Sequence, residues 1–397
     1  MLLCFRCSTQ TKSQLDALVD TGAYRDHSEL IAAAISNLFE MEADFAVKSE
    51  RCPSVAVELD MSPAGESVAN GKLKAAALLP ANPATPEVTA GRSRPKHSSR
   101  VPAIFLLSSL PEIEPTGLAD LPPDTWHHGQ RVPLDRWILG QFNRMLPAKV
   151  NARALIHLFS ENGPLSIESA PQQVANEALK LSDFLAHWDT VHKPARDEAL
   201  ATAFPNRQKS PEKGCTRYAN QFVVYQNGRG ELSGLMSDLK LINVEVRRRE
   251  RLIVPTHTAW DFARLENPVL DGRNDAELRK FSDDERSYLL EHILHGVPVE
   301  SFAYKSVLEA VDMGETTPEK LDQWLKRFVS TDRSAEYSQS FLTSQRSGAI
   351  SRMTDLGLIE RRREGVRVSY SVTQEGHAFL VRYGSKRRGE NRSRTAL

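Results

Sequence analysis

Two arginine clusters dominate the chemistry available to this chain: Arg361, Arg362, Arg363 and Arg367 in "LIERRREGVRVSYSV", and Arg247, Arg248, Arg249 and Arg251 in "LINVEVRRRERLIV". A guanidinium is permanently charged and presents its donors as a planar fork that matches phosphate oxygens. Set on two strands around a turn, such side chains extend from a stiff support toward a polyanion. The whole chain is neutral, yet from Glu360 to Leu397 it carries ten Lys/Arg against four Asp/Glu. Such a basic end is either a phosphate-facing surface or a solvated tail.

Other reactive residue types are poorly arranged. Cys4 and Cys7 spell C-x-x-C, but on a strand they point to opposite faces, and no second pair with ligand spacing follows. His292 and His295 form a lone H-x-x-H, and His127 and His128 fall in a loop pattern, so neither a metal nor any other cofactor is expected. The chain contains no G-x-x-x-x-G-K-[ST] phosphate loop, no G-x-G-x-x-G after a strand and no G-x-S-x-G elbow. Asp271, in "VLDGRNDAELRK", has the acid-then-lysine spacing of metal-dependent nucleases but lies between two helical patterns without flanking strands. The expectation is a protein that is not an enzyme.

The positioning elements fall into three regions. Residues 1–44 show an alternating run followed by two helical patterns. Residues 45–102 are rich in Ala, Pro, Ser and Gly and nearly lack aromatics, the composition of a disordered linker. Residues 103–383 regain periodic apolar residues and should fold, and 384–397 form a basic tail. An offset of 117 aligns residues 229–262 with 346–379 without a gap, and eight of the 34 positions are identical, among them Met236/Met353, Asp238/Asp355, Leu239/Leu356 and Thr256/Thr373. The identities concentrate on apolar positions, as in a structural duplication. The boundary between the copies is expected near residues 270 and 271.

In residues 1–44, Leu3, Phe5 and Cys7 alternate with Cys4 and Arg6, and Ile31, Ala34, Ile35, Leu38 and Phe39 form a helical stripe behind a capping-box pair, Asp26 and Glu29. So short a segment needs a second chain to bury a core. "LDALVDTGAYRDHSELIAAAI" resembles the ribbon-helix-helix family of prokaryotic DNA-binding proteins. The resemblance implies a homodimer whose ribbon enters the major groove through Leu2, Cys4 and Arg6, with His27 and Ser28 at a phosphate-gripping helix start. Leu2 and Cys4 offer little hydrogen bonding to bases, which leaves dimerisation open as the main role.

Farther along, Ala349, Ile350, Met353 and Leu356 make an apolar stripe that ends at Gly357; alternating strands flank Glu364–Gly365, and Thr373 is placed to cap a further helix. Helix, hairpin, helix in this order, "ISRMTDLGLIERRREGVRVSYSVTQEG", resembles the winged helix-turn-helix family. The resemblance implies that Gln345, Arg346, Ser347, Ser351 and Arg352 face the major groove and that Arg362, Arg363 and Arg367 form the wing. The upstream copy keeps the core positions and a basic hairpin, but its helix contains Gly228, Gly230 and Gly234, and Leu235 replaces Arg352. It is therefore expected to be chiefly structural, a surface for protein partners.

The expected fold class is mainly α with small β ribbons and wings: an α+β chain of ribbon-helix-helix, linker and tandem winged helices. The expected partner is double-stranded DNA, bound by a homodimer formed through residues 1–44. No run approaches the roughly 18 apolar residues of a membrane span, so a cytoplasmic, nucleoid-associated location is expected. The expected role is transcription regulation, or a non-catalytic scaffold subunit of a larger DNA-processing or phage-defence complex.

Overall fold

Pro147 and Gly163 delimit the first long helix. Proline suits a first helical turn because its missing N–H has no intrahelical partner there, and Gly163 takes the left-handed backbone (φ +71) that ends the helix. The computed structural model describes residues 16, 100–195, 198–206, 210–227, 230–272, 279–328, 337–365 and 367–395, with side chains as far as residue 384. Contacts divide the chain into two units, residues 1–91 and 92–397.

The first half of the second unit runs α1 (Leu146–Asn162), β1 (Leu165–Ser166), α2 (Ala170–His192) and α3 (Pro211–Tyr218), which continues through a π-type turn at Ala219–Val223. A small hairpin comes next, β2 (Tyr225–Gln226) and β3 (Leu232–Ser233), then the single turn α4 (Leu235–Asp238), the strands β4 (Ile242–Arg247) and β5 (Glu250–Pro255), and α5 (His257–Arg264). The second half is α6 (Asp283–Gly296), α7 (Pro298–Asp312), α8 (Pro318–Phe328), α9 (Gln339–Asp355), β6 (Ile359–Glu364), β7 (Arg367–Val372) and α10 (Gln374–Thr395). The result is a mixture of helices and small antiparallel sheets. Among the described residues no helix is long and apolar enough to cross a membrane.

The repeat seen in the sequence has a backbone counterpart. Ile242 pairs with Pro255 in β4–β5 and Ile359 with Val372 in β6–β7, and the remaining pairs of the two ladders keep the same 117-residue offset. Thr256 and Thr373 hold equivalent corners. Each hydroxyl donates to the carbonyl of a left-handed residue before the hairpin, Lys240 (3.2 Å) or Gly357 (2.7 Å), and accepts from a first-turn N–H, that of Ala259 or Gly376. In the first half β1 joins the hairpin to make a sheet of order β1-β5-β4, with Leu165 opposite Ile253. The equivalent place in the second half is a single hydrogen bond, from the Tyr370 N–H to the Thr316 carbonyl (2.9 Å).

The halves differ where the upstream helix was expected. Tyr225–Gln226 and Leu232–Ser233 pair as the strands β2 and β3 instead, and only Leu235–Asp238 are helical there among the described residues. Gly230 (φ +85) and Gly234 (φ +126) adopt backbone that a right-handed helix cannot contain, and a Cβ on Gly234 would press on the Val223 carbonyl at 2.8 Å. The expected separation near residues 270 and 271 is also not reflected in the packing, because one apolar core extends from Phe105 through both halves to Tyr383.

Buried ion pairs cross this core. Lys149 of α1 meets Glu285 of α6 at 2.9 Å, both side chains being fully buried, and donates to the carbonyls of Phe262 (2.5 Å) and Leu265 (2.6 Å). Burial pulls the Lys149 ammonium down to about 8, and burial raises the Glu285 carboxyl above its usual range. Each charge is therefore tolerated because the other is present. Glu285→Gln alone should lower unfolding stability by about 3–5 kcal/mol in urea titrations. Combining it with Lys149→Met should recover most of the loss, since the uncompensated charge is then gone.

Candidate nucleic-acid interface

Helix α9 was expected to present its polar side to a groove, and the structure corrects that expectation at three positions. Gln345, Arg346 and Arg352 are buried. The Gln345 amide donates to the Leu134 carbonyl at 3.2 Å. Arg346 donates from Nε to Asp322 at 2.6 Å and from Nη1 to the Tyr370 hydroxyl at 3.4 Å. Arg352 forms a two-pronged pair with Glu300, Nε to Oε1 at 2.6 Å and Nη2 to Oε2 at 3.1 Å, and its Nη1 donates to the Phe142 carbonyl at 2.9 Å. These are the groups a base edge would need, and the fold already uses them.

The segment 134–145 does the covering. Besides accepting from Gln345 and Arg352, it donates the Met145 N–H to Asp355 at 3.0 Å, a carboxylate that also holds Lys280 at 2.6 Å. Two glycines allow the close approach: a Cβ on Gly348 would overlap the Gly140 backbone, and one on Gly140 would overlap the Ser344 carbonyl. Trp137, Ile138, Phe142 and Met145 add apolar anchors, each at most 4% exposed. Of the expected groove-facing set, Ser347 remains exposed and Ser351 half-buried.

The hairpins behave otherwise. Arg361, Arg362, Arg363 and Arg367 are all exposed, and of the expected wing set Arg362 makes one weak ion pair, with Glu360 at 3.3 Å. Gly365 (φ +62) supplies the left-handed turn position without a side chain. On the upstream hairpin, Arg247 is held by Glu245 at 2.6 Å, and Arg251 lies over the β2–β3 hairpin, 3.7 Å from where a Gly230 Cβ would sit. Arg248 and Arg249, the two-residue turn itself, are exposed and both left-handed (φ +50 and +75). Left-handed backbone costs a residue other than Gly or Asn about 1–2 kcal/mol.

The remaining candidates are not brought together. Asp271 accepts from Arg153 at 2.6 and 2.8 Å and from the N–H groups of Asn267 and Leu107. Burial pushes its carboxyl up, but these donors hold it below the usual carboxylate range, and the ionised group braces Arg153 and two backbone N–H groups. His292 is buried against the Leu239 carbonyl (2.7 Å) while His295 pairs with Glu291 (2.8 Å), so the H-x-x-H is split between partners. His128 packs on the Tyr383 ring at 4.3 Å. No group of three or more His, Cys, Asp or Glu suited to a metal occurs among the described residues. Leu2, Cys4, Cys7, Arg6, His27 and Ser28, and with them the expected ribbon and the expected linker as far as residue 99, lie outside the described residues.

Arg248 and Arg249 were not among the expected contact residues; they form a two-residue turn between alternating strands that lacks the Asn-Gly such a turn favours. Comparison with protein-family models, curated proteins and solved structures finds no match.

Arg352→Met should cost about 3–5 kcal/mol in urea unfolding, because Glu300 is left buried without its cation. Ser347→Ala, on the same helix but exposed, should change stability by less than about 0.5 kcal/mol.

Proposed function

We propose that the chain is a double-stranded-DNA-binding protein whose folded region grips the phosphate backbone through arginine hairpins rather than reading bases through a helix. The observation that carries this reading is the contrast within one repeat: Gln345, Arg346 and Arg352 of α9 are committed to buried contacts, while the arginines of β6–β7 project into solvent from a paired ladder. A short antiparallel hairpin keeps long cationic side chains close to one direction, and guanidinium forks match phosphate oxygens.

The element order of each half, helix, strand or single bridge, helices, hairpin, helix, supports the tandem winged-helix reading, with α9 in the usual place of a recognition helix. With that helix covered, sequence discrimination falls to residues 1–44, proposed as a dimerising ribbon-helix-helix with Leu2, Cys4 and Arg6 toward the bases. A cytoplasmic, prokaryotic transcription regulator is the simplest use of such a pairing of a reader with a backbone clamp, and the two sites on one chain raise avidity through effective concentration. A scaffold subunit within a DNA-processing or phage-defence assembly is the second reading, and the covered α9 favours it because base reading by that helix is lost.

Full-length protein carrying Arg362→Ala and Arg363→Ala should bind a duplex of about 30 base pairs more weakly, with the slope of log affinity against log salt reduced by about 1–2. Unchanged affinity and slope would remove the downstream wing from the account. Failure of the unaltered protein to bind any duplex would favour the scaffold.

A further inference from the structure

Strand β4 has a free edge. The sheet order β1-β5-β4 places no strand beyond it. The Thr256 N–H donates to the Leu241 carbonyl, and stepping along the ladder in twos turns the N–H and C=O of Asn243, Glu245 and Arg247 toward β5. Those of Ile242, Val244 and Val246 therefore point outward. The Val244 N–H has the side-chain oxygen of its own neighbour Asn243, at 2.8 Å, and among the described residues no backbone group bonds to Val244 or Val246 from that side. The Val246 side chain is 69% exposed. Such an edge is a template for another strand, and natural proteins usually blunt it with charge or proline.

The residues along the edge specify which strand fits. We infer that β4 pairs antiparallel with the β4 of a second copy of this chain about a two-fold axis at Val244, joining two three-stranded sheets into one. In that register Val244 faces its own counterpart and Ile242 faces Val246 on either side, so one face of the new ladder is wholly apolar. On the other face Asn243 meets Glu245 twice, an amide donor against a carboxylate acceptor. The outward backbone groups of Ile242, Val244 and Val246 then exchange hydrogen bonds across the axis. Neighbouring registers fit less well. Centring on Glu245 opposes two carboxylates, and centring on Val246 runs into the left-handed turn residue Arg248 (φ +50). The downstream hairpin lacks this complementarity, because the register 117 residues on would set Arg361 against itself. The interface is isologous, each copy giving and receiving the same contacts. It is separate from residues 1–44 and does not depend on duplex binding.

The test uses full-length protein carrying Val244→Cys. In the two-fold register the two substituted positions have Cα atoms about 5.5 Å apart, a separation a disulfide spans. Mild oxidation of an equal mixture of isotope-labelled and unlabelled protein should give, after proteolysis, a mixed-isotope peptide joined 244 to 244. Its yield should exceed by at least about tenfold that of the corresponding link in Ser347→Cys, an exposed position on α9 with no facing counterpart in this pairing. Adding Val246→Pro should lower the 244 link at least about fivefold, because the Val246 N–H points to the partner and proline there spares the β4–β5 ladder. Val246→Lys should do the same by blunting the edge, which answers the question if the proline variant folds poorly. A 244 link no stronger than the Ser347→Cys background, or one undiminished in either folded Val246 variant, would overturn the pairing. Because the joined peptide identifies the contact itself, neither dimerisation through residues 1–44 nor duplex binding enters the readout.

Discussion

The ion pair between Arg352 and Glu300 is the constraint on which the rest of the folded region depends. A buried guanidinium must satisfy its donors, and Arg352 does so with a carboxylate from α7 and a carbonyl from the segment before α1. One side chain thus ties together three stretches distant in sequence. Its neighbours extend the tie: Asp355 accepts from the Met145 N–H and from Lys280, and Gln345 donates to the Leu134 carbonyl. Breaking one partner of such a network strands another buried polar group, so the arrangement behaves as a unit.

That constraint determines where function can reside. A helix whose polar groups are engaged at Gln345, Arg346, Arg352 and Asp355 has little left to offer a groove, however suitable its place in the fold. The hairpins escape because they extend beyond the core: in β6 only Ile359 is buried, and every residue after it faces solvent. The division of labour between a covered helix and exposed wings therefore follows from how far the ladder runs past the core as much as from charge.

Much of the local structure was legible in the sequence. Gly357 does end α9 in the left-handed region, Thr373 does cap α10, and the 117-residue offset reappears in the ladder registers. These features depend on neighbours a few residues away, which a sequence displays directly. The burial of Arg352 and Arg346 was not legible, because their partners Glu300 and Asp322 lie 52 and 24 residues away, and an arginine beside an apolar stripe looks the same whether it meets water or a carboxylate. The covering segment was hidden for a related reason. Ile138, Phe142 and Met145 stand at helical spacing, which suggests a helix, yet residues 137–145 form turns and irregular backbone, and their importance comes from carbonyl groups and one glycine, which carry no distinctive side chain. The pairing of Tyr225–Gln226 with Leu232–Ser233 is hard to see because alignment to a helical copy outweighs Gly230 and Gly234, whose backbone precludes a helix there.

Amide hydrogen exchange on the full-length protein, free and with duplex, tests the central claim most directly. The account predicts that residues 134–145 and α9 exchange slowly and identically in both states, while residues 245–251 and 360–367 gain protection when duplex is present. Rapid exchange of 134–145 in the free protein, with new protection of α9 in the complex, would contradict it and return that helix to the groove.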